Sequence, residues 1–173
     1  IEGLAHHVQT LLEDNPELMI VWGSGGTLRR MGEHVNLELT LLGIDAQGPD
    51  IAGQRTLYAD LNEQDLLNVL AKHVDENGAP KPRLLLLSPM GGQGFLIGRG
   101  NLQLSPEVLR VIEFENILGV ATPSKLIGLQ AVRIDTGDPE LDSEFQAKRF
   151  VQEWWNWWET LLIVAFSNRD CGV

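Results

Sequence analysis

The chain is poor in cysteine, positive charge and long apolar runs. A single cysteine, Cys171, stands near the end of 173 residues. No intrachain disulfide and no cysteine-based zinc site can therefore form. The 13 Lys plus Arg face 24 Asp plus Glu, a formal net charge of -11, and the sequence pI is near 4.7. That balance argues against a broad nucleic-acid interface, which needs clustered Lys and Arg, and equally against an anionic membrane surface. A small anionic ligand remains compatible, because a helix N-terminus with one or two Arg holds it locally. There is no run of roughly 18 apolar residues, the length a membrane span needs. The first residues, Ile1-Glu2-Gly3-Leu4-Ala5-His6-His7, lack the basic and apolar regions of a secretory signal. A cytoplasmic, reducing setting is expected. The chain does not begin with Met, and it is read as a fragment, a processed product or an excised domain.

What is present is ordinary for a globular protein: 43% hydrophobic and 21% charged residues. Residues 1–14 carry Leu4, Ala5, Val8, Leu11 and Leu12 at helical spacing, closed by Asn15-Pro16. Residues 18–22 are an apolar run suited to a strand buried on both faces. A glycine segment and a short helix to His34 follow. Residues 39–44 read as a second buried strand ending at Asp45, and residues 46–61 as a hairpin or excursion. Asp60 or Asn62 caps a helix through Val74. Residues 83–88 form a third strand. Ser105-Pro106 opens a helix to about Glu113, followed by a fourth strand at 116–121 and a short helix opened by Thr122-Pro123. A fifth strand lies at 131–135, a helix runs from Pro139 to Lys148, and a last strand is placed at 160–166. Strands alternating with helices predict an α/β fold with a mainly parallel sheet flanked by helices. Glycine-rich loops are expected at the carboxyl ends of the strands. Residues 1–149 are read as one α/β ligand-binding domain. Residues 150–173 are read as an atypical Trp-rich segment packed on it, with Trp154, Trp155, Trp157 and Trp158.

In an open α/β sheet, ligands bind beyond the carboxyl ends of the strands. Four segments are expected there. Gly23-Ser24-Gly25-Gly26-Thr27 precedes a helix, so backbone amides, two hydroxyls and the helix dipole converge on one point, as an anion site requires. It is neither a Walker loop nor a dinucleotide fingerprint. Residues 90–101 carry Gly91, Gly92, Gly94, Gly98 and Gly100, more glycine than a simple connection needs. Within that segment Arg99 is a phosphate candidate, and Gln93 and Asn101 are amide contacts. Asp45, Asp135 and Asp138 are candidates for ribose or Mg²⁺, with Asp138 alternatively an N-cap before Pro139. His6, His7, His34 and His73 show no metal spacing, and no catalytic residue is assigned.

The two glycine segments, together with Gln103-Leu104-Ser105-Pro106-Glu107-Val108, Val120-Ala121-Thr122-Pro123-Ser124-Lys125-Leu126 and Asp135-Thr136-Gly137-Asp138, resemble the C-terminal half of the predicted ATP-NAD kinase family. That family includes relatives of NAD kinase and of the acetoin-catabolism protein X. The resemblance spans about residues 1 to 149. It implies binding of NAD or ATP, and phosphoryl transfer from ATP or polyphosphate with Mg²⁺. The Gly-Gly-Asp-Gly motif of the family's N-terminal half does not occur here. The expectation is a C-terminal domain that is not catalytically complete alone and whose partner is the missing N-terminal kinase half. Two other readings stand beside it. One is a non-catalytic effector-binding or homo-oligomerisation module using the Trp cluster. The other is a sugar-phosphate-binding enzyme.

Overall fold

Apolar spacing fixes the first helix. Leu4, Ala5, Val8 and Leu12 are the buried positions of α1 (Glu2–Asp14), which ends where Asn15 donates its side-chain amide to the Leu11 carbonyl at 2.9 Å. The computed structural model describes residues 1–90, 94–98, 100–122, 125, 127, 132–147, 150–154 and 162–166. Short apolar runs give β1 (Met19–Trp22) and β4 (Arg83–Leu87). Between them lie α2 (Gly26–His34), the hairpin β2 (Ile44–Ile51) and β3 (Gln54–Leu61), and α3 (Glu63–Lys72). Asn62 caps α3 by accepting the Asp65 amide at 2.9 Å. Then follow β5 (Phe95–Ile97), α4 (Pro106–Ile112), β6 (Ile117–Ala121), β7 (Arg133–Ile134) and α5 (Pro139–Ala147). The last strands are β8 (Phe150–Trp154) and β9 (Leu162–Phe166). Ser105 accepts the Val108 amide at 3.3 Å, with Pro106 in the first turn of α4, as its sequence predicts.

The sheet is mixed, which corrects the mainly parallel expectation. Its seven strands run β3-β2-β1-β4-β6-β9-β8. Only β1, β4 and β6 are parallel neighbours. An antiparallel hairpin flanks them on each side: β2 and β3 beyond β1, and β9 and β8 beyond β6. Two further expectations change. Residues 39–43 form no strand, and the second strand begins at Ile44. The strand near residue 133 leaves the main sheet and pairs with β5 in a small parallel sheet.

The side chains of β1 and β4 alternate between two cores. Met19, Val21, Leu85 and Leu87 pack with Leu66 and Leu70 of α3, Val108 and Ile112 of α4, and Leu141 and Phe145 of α5. Ile20, Trp22 and Leu86 pack with α1 and with Leu28 and Met31 of α2. The segment after β1 therefore crosses one face toward β2, while the segment after β4 crosses the other face toward β6.

The amino edge of the sheet is held by buried polar groups. Arg83 donates to the carbonyls of His73 and Val111, at the C-terminal ends of α3 and α4, at 3.2 and 3.3 Å. The His73 carbonyl also accepts the Lys81 amide at 3.1 Å, and a cation there adds to the bonding of helix-end carbonyls and complements both helix dipoles. His73 is buried, and its Nε2 lies 2.9 Å from the Pro82 carbonyl. Burial holds the imidazole below its ordinary value near 6.5, aided by the Arg83 and Lys81 cations and opposed by the Pro82 hydrogen bond and by Glu17. The unfolded chain then binds the proton more readily. His73's contribution is complete above pH 6.5 and is lost as pH falls toward its lowered folded value. His73→Gln, which keeps a donor toward Pro82, is expected to flatten the dependence of urea-derived stability on pH below 6.5. Parallel slopes for the variant and the parent chain would contradict this.

Candidate functional site

Strand β1 ends against β4 in a close approach that fixes its sequence. The Gly23 amide donates to the Leu86 carbonyl at 2.8 Å, continuing the ladder one residue past Trp22. A Cβ at Gly23 would stand 2.9 Å from the Leu86 oxygen and 2.7 Å from a Leu87 methyl. Gly25 follows at φ +115°, a conformation that side chains rarely adopt, with its amide donating to the Leu41 carbonyl at 2.8 Å. Gly25 is the N-cap of α2, and no side chain caps that end among the described residues. The first-turn amides of α2, beginning at Gly26 and Thr27, therefore point out beyond β1 with the positive end of the helix dipole.

Two small hydroxyl residues stand beside this turn. Ser24 is 5% exposed, and its Oγ donates to the Met90 sulfur at 3.5 Å, a weak acceptor. Thr27 is also buried. Met90 is tied to the next segment by its amide, which donates to the Phe95 carbonyl at 2.8 Å. A Cβ on Gly100 would meet the end of the Met90 side chain. Gly94 sits at φ +76°, and its carbonyl accepts from the Arg133 amide at 2.9 Å.

Several expected ligand contacts are occupied by the fold itself. Asn101 is buried. Its Oδ1 accepts the Gly98 amide at 2.9 Å and its Nδ2 donates to the Leu96 carbonyl at 3.0 Å, so it locks the turn after β5. Asp45 is 1% exposed. Its carboxylate accepts from the Thr40 amide at 2.7 Å, the Thr40 hydroxyl at 2.9 Å and the Asp60 amide at 2.8 Å. It does lie at the carboxyl edge of β1, opposite Trp22, because β2 runs antiparallel and starts there. Asp138 accepts from the Glu140 and Leu141 amides at 3.0 and 3.2 Å and from Arg110 at 2.7 Å, which makes it the N-cap of α5. The Arg110 guanidinium and the Leu141 amide hold its carboxyl below the usual range. Asp135 is exposed, with its amide on the Ile97 carbonyl at 3.0 Å.

Gly91, Gly92, Gln93 and Arg99 lie outside the described residues, as do Trp155, Trp157, Trp158 and Cys171. Trp154 ends β8. Among the described residues, no group of three or more His, Cys, Asp and Glu is placed to hold a metal ion. The carboxylates of Asp45 and Asp138 accept hydrogen bonds from within the fold.

One residue of the site was not expected. Lys125 lies just past the end of β6, and its Nζ donates to the Ser88 Oγ and the Pro89 carbonyl, both at 3.0 Å, at the end of β4. A lone lysine four residues beyond a parallel strand was the available signal. Ser24, the α2 amides and Lys125 thus lie at the carboxyl ends of adjacent parallel strands. The connections after β1 and β4 leave there toward opposite faces, which is where open α/β sheets form a ligand crevice.

A family model described as the ATP-NAD kinase C-terminal domain matches residues 16–153. No curated protein and no solved structure matches the chain.

Proposed function

The chain belongs to the ATP-NAD kinase C-terminal domain family, and from that membership we propose that it binds a phosphorylated or nucleotide ligand, NAD or ATP, at the carboxyl ends of β1 and β4. The observation that carries the reading is the end of β1. There an uncapped helix N-terminus follows a turn bearing Gly23, Ser24, Gly25, Gly26 and Thr27, at the point where chain connections diverge to opposite faces. Gly91, Gly92, Gln93, Gly94, Arg99 and Gly100 complete the phosphate cradle in this reading, with Asp135 turned toward ribose.

Phosphoryl transfer rests on positioning and charge neutralisation more than on covalent chemistry by the protein. In this reading the domain supplies part of both and depends on an N-terminal kinase half for the rest, so the chain alone is inactive. Mg²⁺, when bound, neutralises phosphate charge. It would be held mainly by the ligand's own phosphates, since the carboxylates of Asp45 and Asp138 hold the fold.

The test is thermal stability of the chain with NAD, NADP, ATP, polyphosphate, inorganic phosphate and sugar phosphates, each with and without Mg²⁺. A ligand at about 100 times its Kd adds roughly 2.7 kcal/mol. Stabilisation by NAD or ATP is the expected result. Stabilisation by sugar phosphates alone would favour the sugar-phosphate enzyme, and none by any compound would remove the reading.

A further inference from the structure

Most described cations of this acidic chain are accounted for. Lys81 pairs with Glu17 at 2.8 Å, Arg110 with Asp138 at 2.7 Å and Arg29 with Glu33 at 3.6 Å. Arg55 and Arg83 are held by backbone carbonyls near the amino edge of the sheet. Lys125 differs from all of these. It is half-buried, its two hydrogen-bond partners are neutral, and no carboxylate lies in ion-pair range of it among the described residues. Holding an ammonium out of water without an opposite charge is unfavourable. The group has three N–H donors, of which Ser88 and Pro89 take two.

Its position says where the opposite charge would come from. Trp22 pairs with Leu86 in the parallel register of β1 and β4, so Ser24 and Ser88 stand two residues farther along adjacent strand ends. Both are buried, at 5% and 3% exposure. The Lys125 ammonium reaches the end of β4 from the β6 side, while the N-terminus of α2 follows the end of β1.

We infer that Lys125 is the cation that binds a phosphoryl oxygen of the ligand, with Ser88 positioning its ammonium at the end of β4. The inference rests on the reading that this crevice takes a phosphorylated ligand. It adds the residue that would favour a phosphate over a neutral ligand there. A lysine suits this because it acts as a point charge that tolerates several phosphate orientations. Burial alone lowers the pKa of Lys125, and among the described residues no charged or titratable group faces it. Binding an anion would restore the proton's hold.

The experiment titrates ATP and, in parallel, NAD into the 173-residue chain, the Lys125→Met variant and the Lys125→Arg variant, by calorimetry. Met is expected to weaken binding about 10- to 100-fold, the loss of one charge-assisted hydrogen bond, and Arg to retain most of it. Parent affinity is expected to fall as pH rises toward the ordinary lysine value near 10.5 and the lysine deprotonates, with no fall in the arginine variant. If Met binds as tightly as the parent, the assignment to Lys125 is wrong and the crevice reading stands. If the parent chain binds neither nucleotide, the crevice reading fails and the assignment with it. Should the Met variant not fold, acetylation of Lys125 in the parent chain decides, read by mass spectrometry. Protection by ATP supports the assignment and unchanged labelling overturns it.

Discussion

Replacing Arg55 with Ala is expected to lower stability by about 3 kcal/mol. The guanidinium donates to five backbone carbonyls: Leu18 at 2.6 Å, Leu12 at 2.7 Å, Gly48 and Asn15 at 3.0 Å, and Pro16 at 3.2 Å. Three of these acceptors, Leu12, Asn15 and Pro16, end or follow α1, Leu18 enters β1 and Gly48 lies on β2. A single side chain therefore joins the first helix to the hairpin edge. The last carbonyls of a helix have no intrahelical partner, and a cation beside them also meets the negative end of the dipole. Each hydrogen bond from a charged donor is worth roughly 1.5–3 kcal/mol, and the five do not add because water replaces part of them at a half-buried site. The corresponding loss in melting temperature is roughly 6–12 °C. Arg55→Lys is expected to recover less than half, since one nitrogen cannot reproduce the planar fork. Burial lowers the guanidinium's pKa and Asp50 opposes that shift, but an arginine stays charged at any pH used for unfolding. A loss within the roughly 0.5 kcal/mol of ordinary surface changes would contradict this role.

The second large effect belongs to Asp45, where stability separates a fold role from a ligand role. Its two oxygens accept from different backbone amides, Oδ2 from Thr40 and Oδ1 from Asp60. Asp60 is itself held at φ +52°, a left-handed conformation. Gly43 lies so close that a Cβ there would meet the Asp60 and Thr40 side chains. Asp45→Ala leaves both amides without their acceptor and is expected to cost about 2–3 kcal/mol. Asp45→Asn is expected to cost nearly as much, because its amide nitrogen must face one of the two N–H donors. A carboxylate whose main task is to bind ribose would tolerate Asn within about 0.5 kcal/mol. Urea unfolding of both variants distinguishes the two roles.

Local signals survived into the structure where the packing is local. The helix spacing of residues 1–14, the Asn62 and Ser105 caps and the apolar strands β1 and β4 were legible, because each depends on a few consecutive side chains. The direction of the second strand was not. The apolar residues at 39–44 look like a strand, yet Leu39 is buried while Leu42 is 79% exposed. The true strand, β2, carries Gly48 and Pro49, residues that argue against an inner strand. It is tolerated because β1 pairs only with Asp45, Ala46 and Gln47, and the register with β3 shifts between Gln47 and Asp50, so Pro49 sits in the irregularity. Once β2 is antiparallel, the sheet is mixed.

The site was partly legible for a similar reason. Gly23, Ser24, Gly25 and Thr27 stand where a strand–turn–helix unit puts them. Asn101, Asp45 and Asp138 have the residue types of ligand contacts, but their partners lie in this chain and close its turns. Lys125 went unassigned because its meaning depends on Ser88 and Pro89, 37 and 36 residues earlier.

A phosphorylated ligand is expected at the carboxyl ends of β1 and β4. The most direct measurement is an assigned backbone amide spectrum of the chain, recorded as ATP or NAD is added. The largest shifts are expected at Ser24, Gly25, Gly26 and Thr27 and at Ser88 and Met90, with Asp75 and Asn77 unmoved in the loop before β4. Binding accompanied by shifts elsewhere, with the amides of residues 24–27 unmoved, would contradict it.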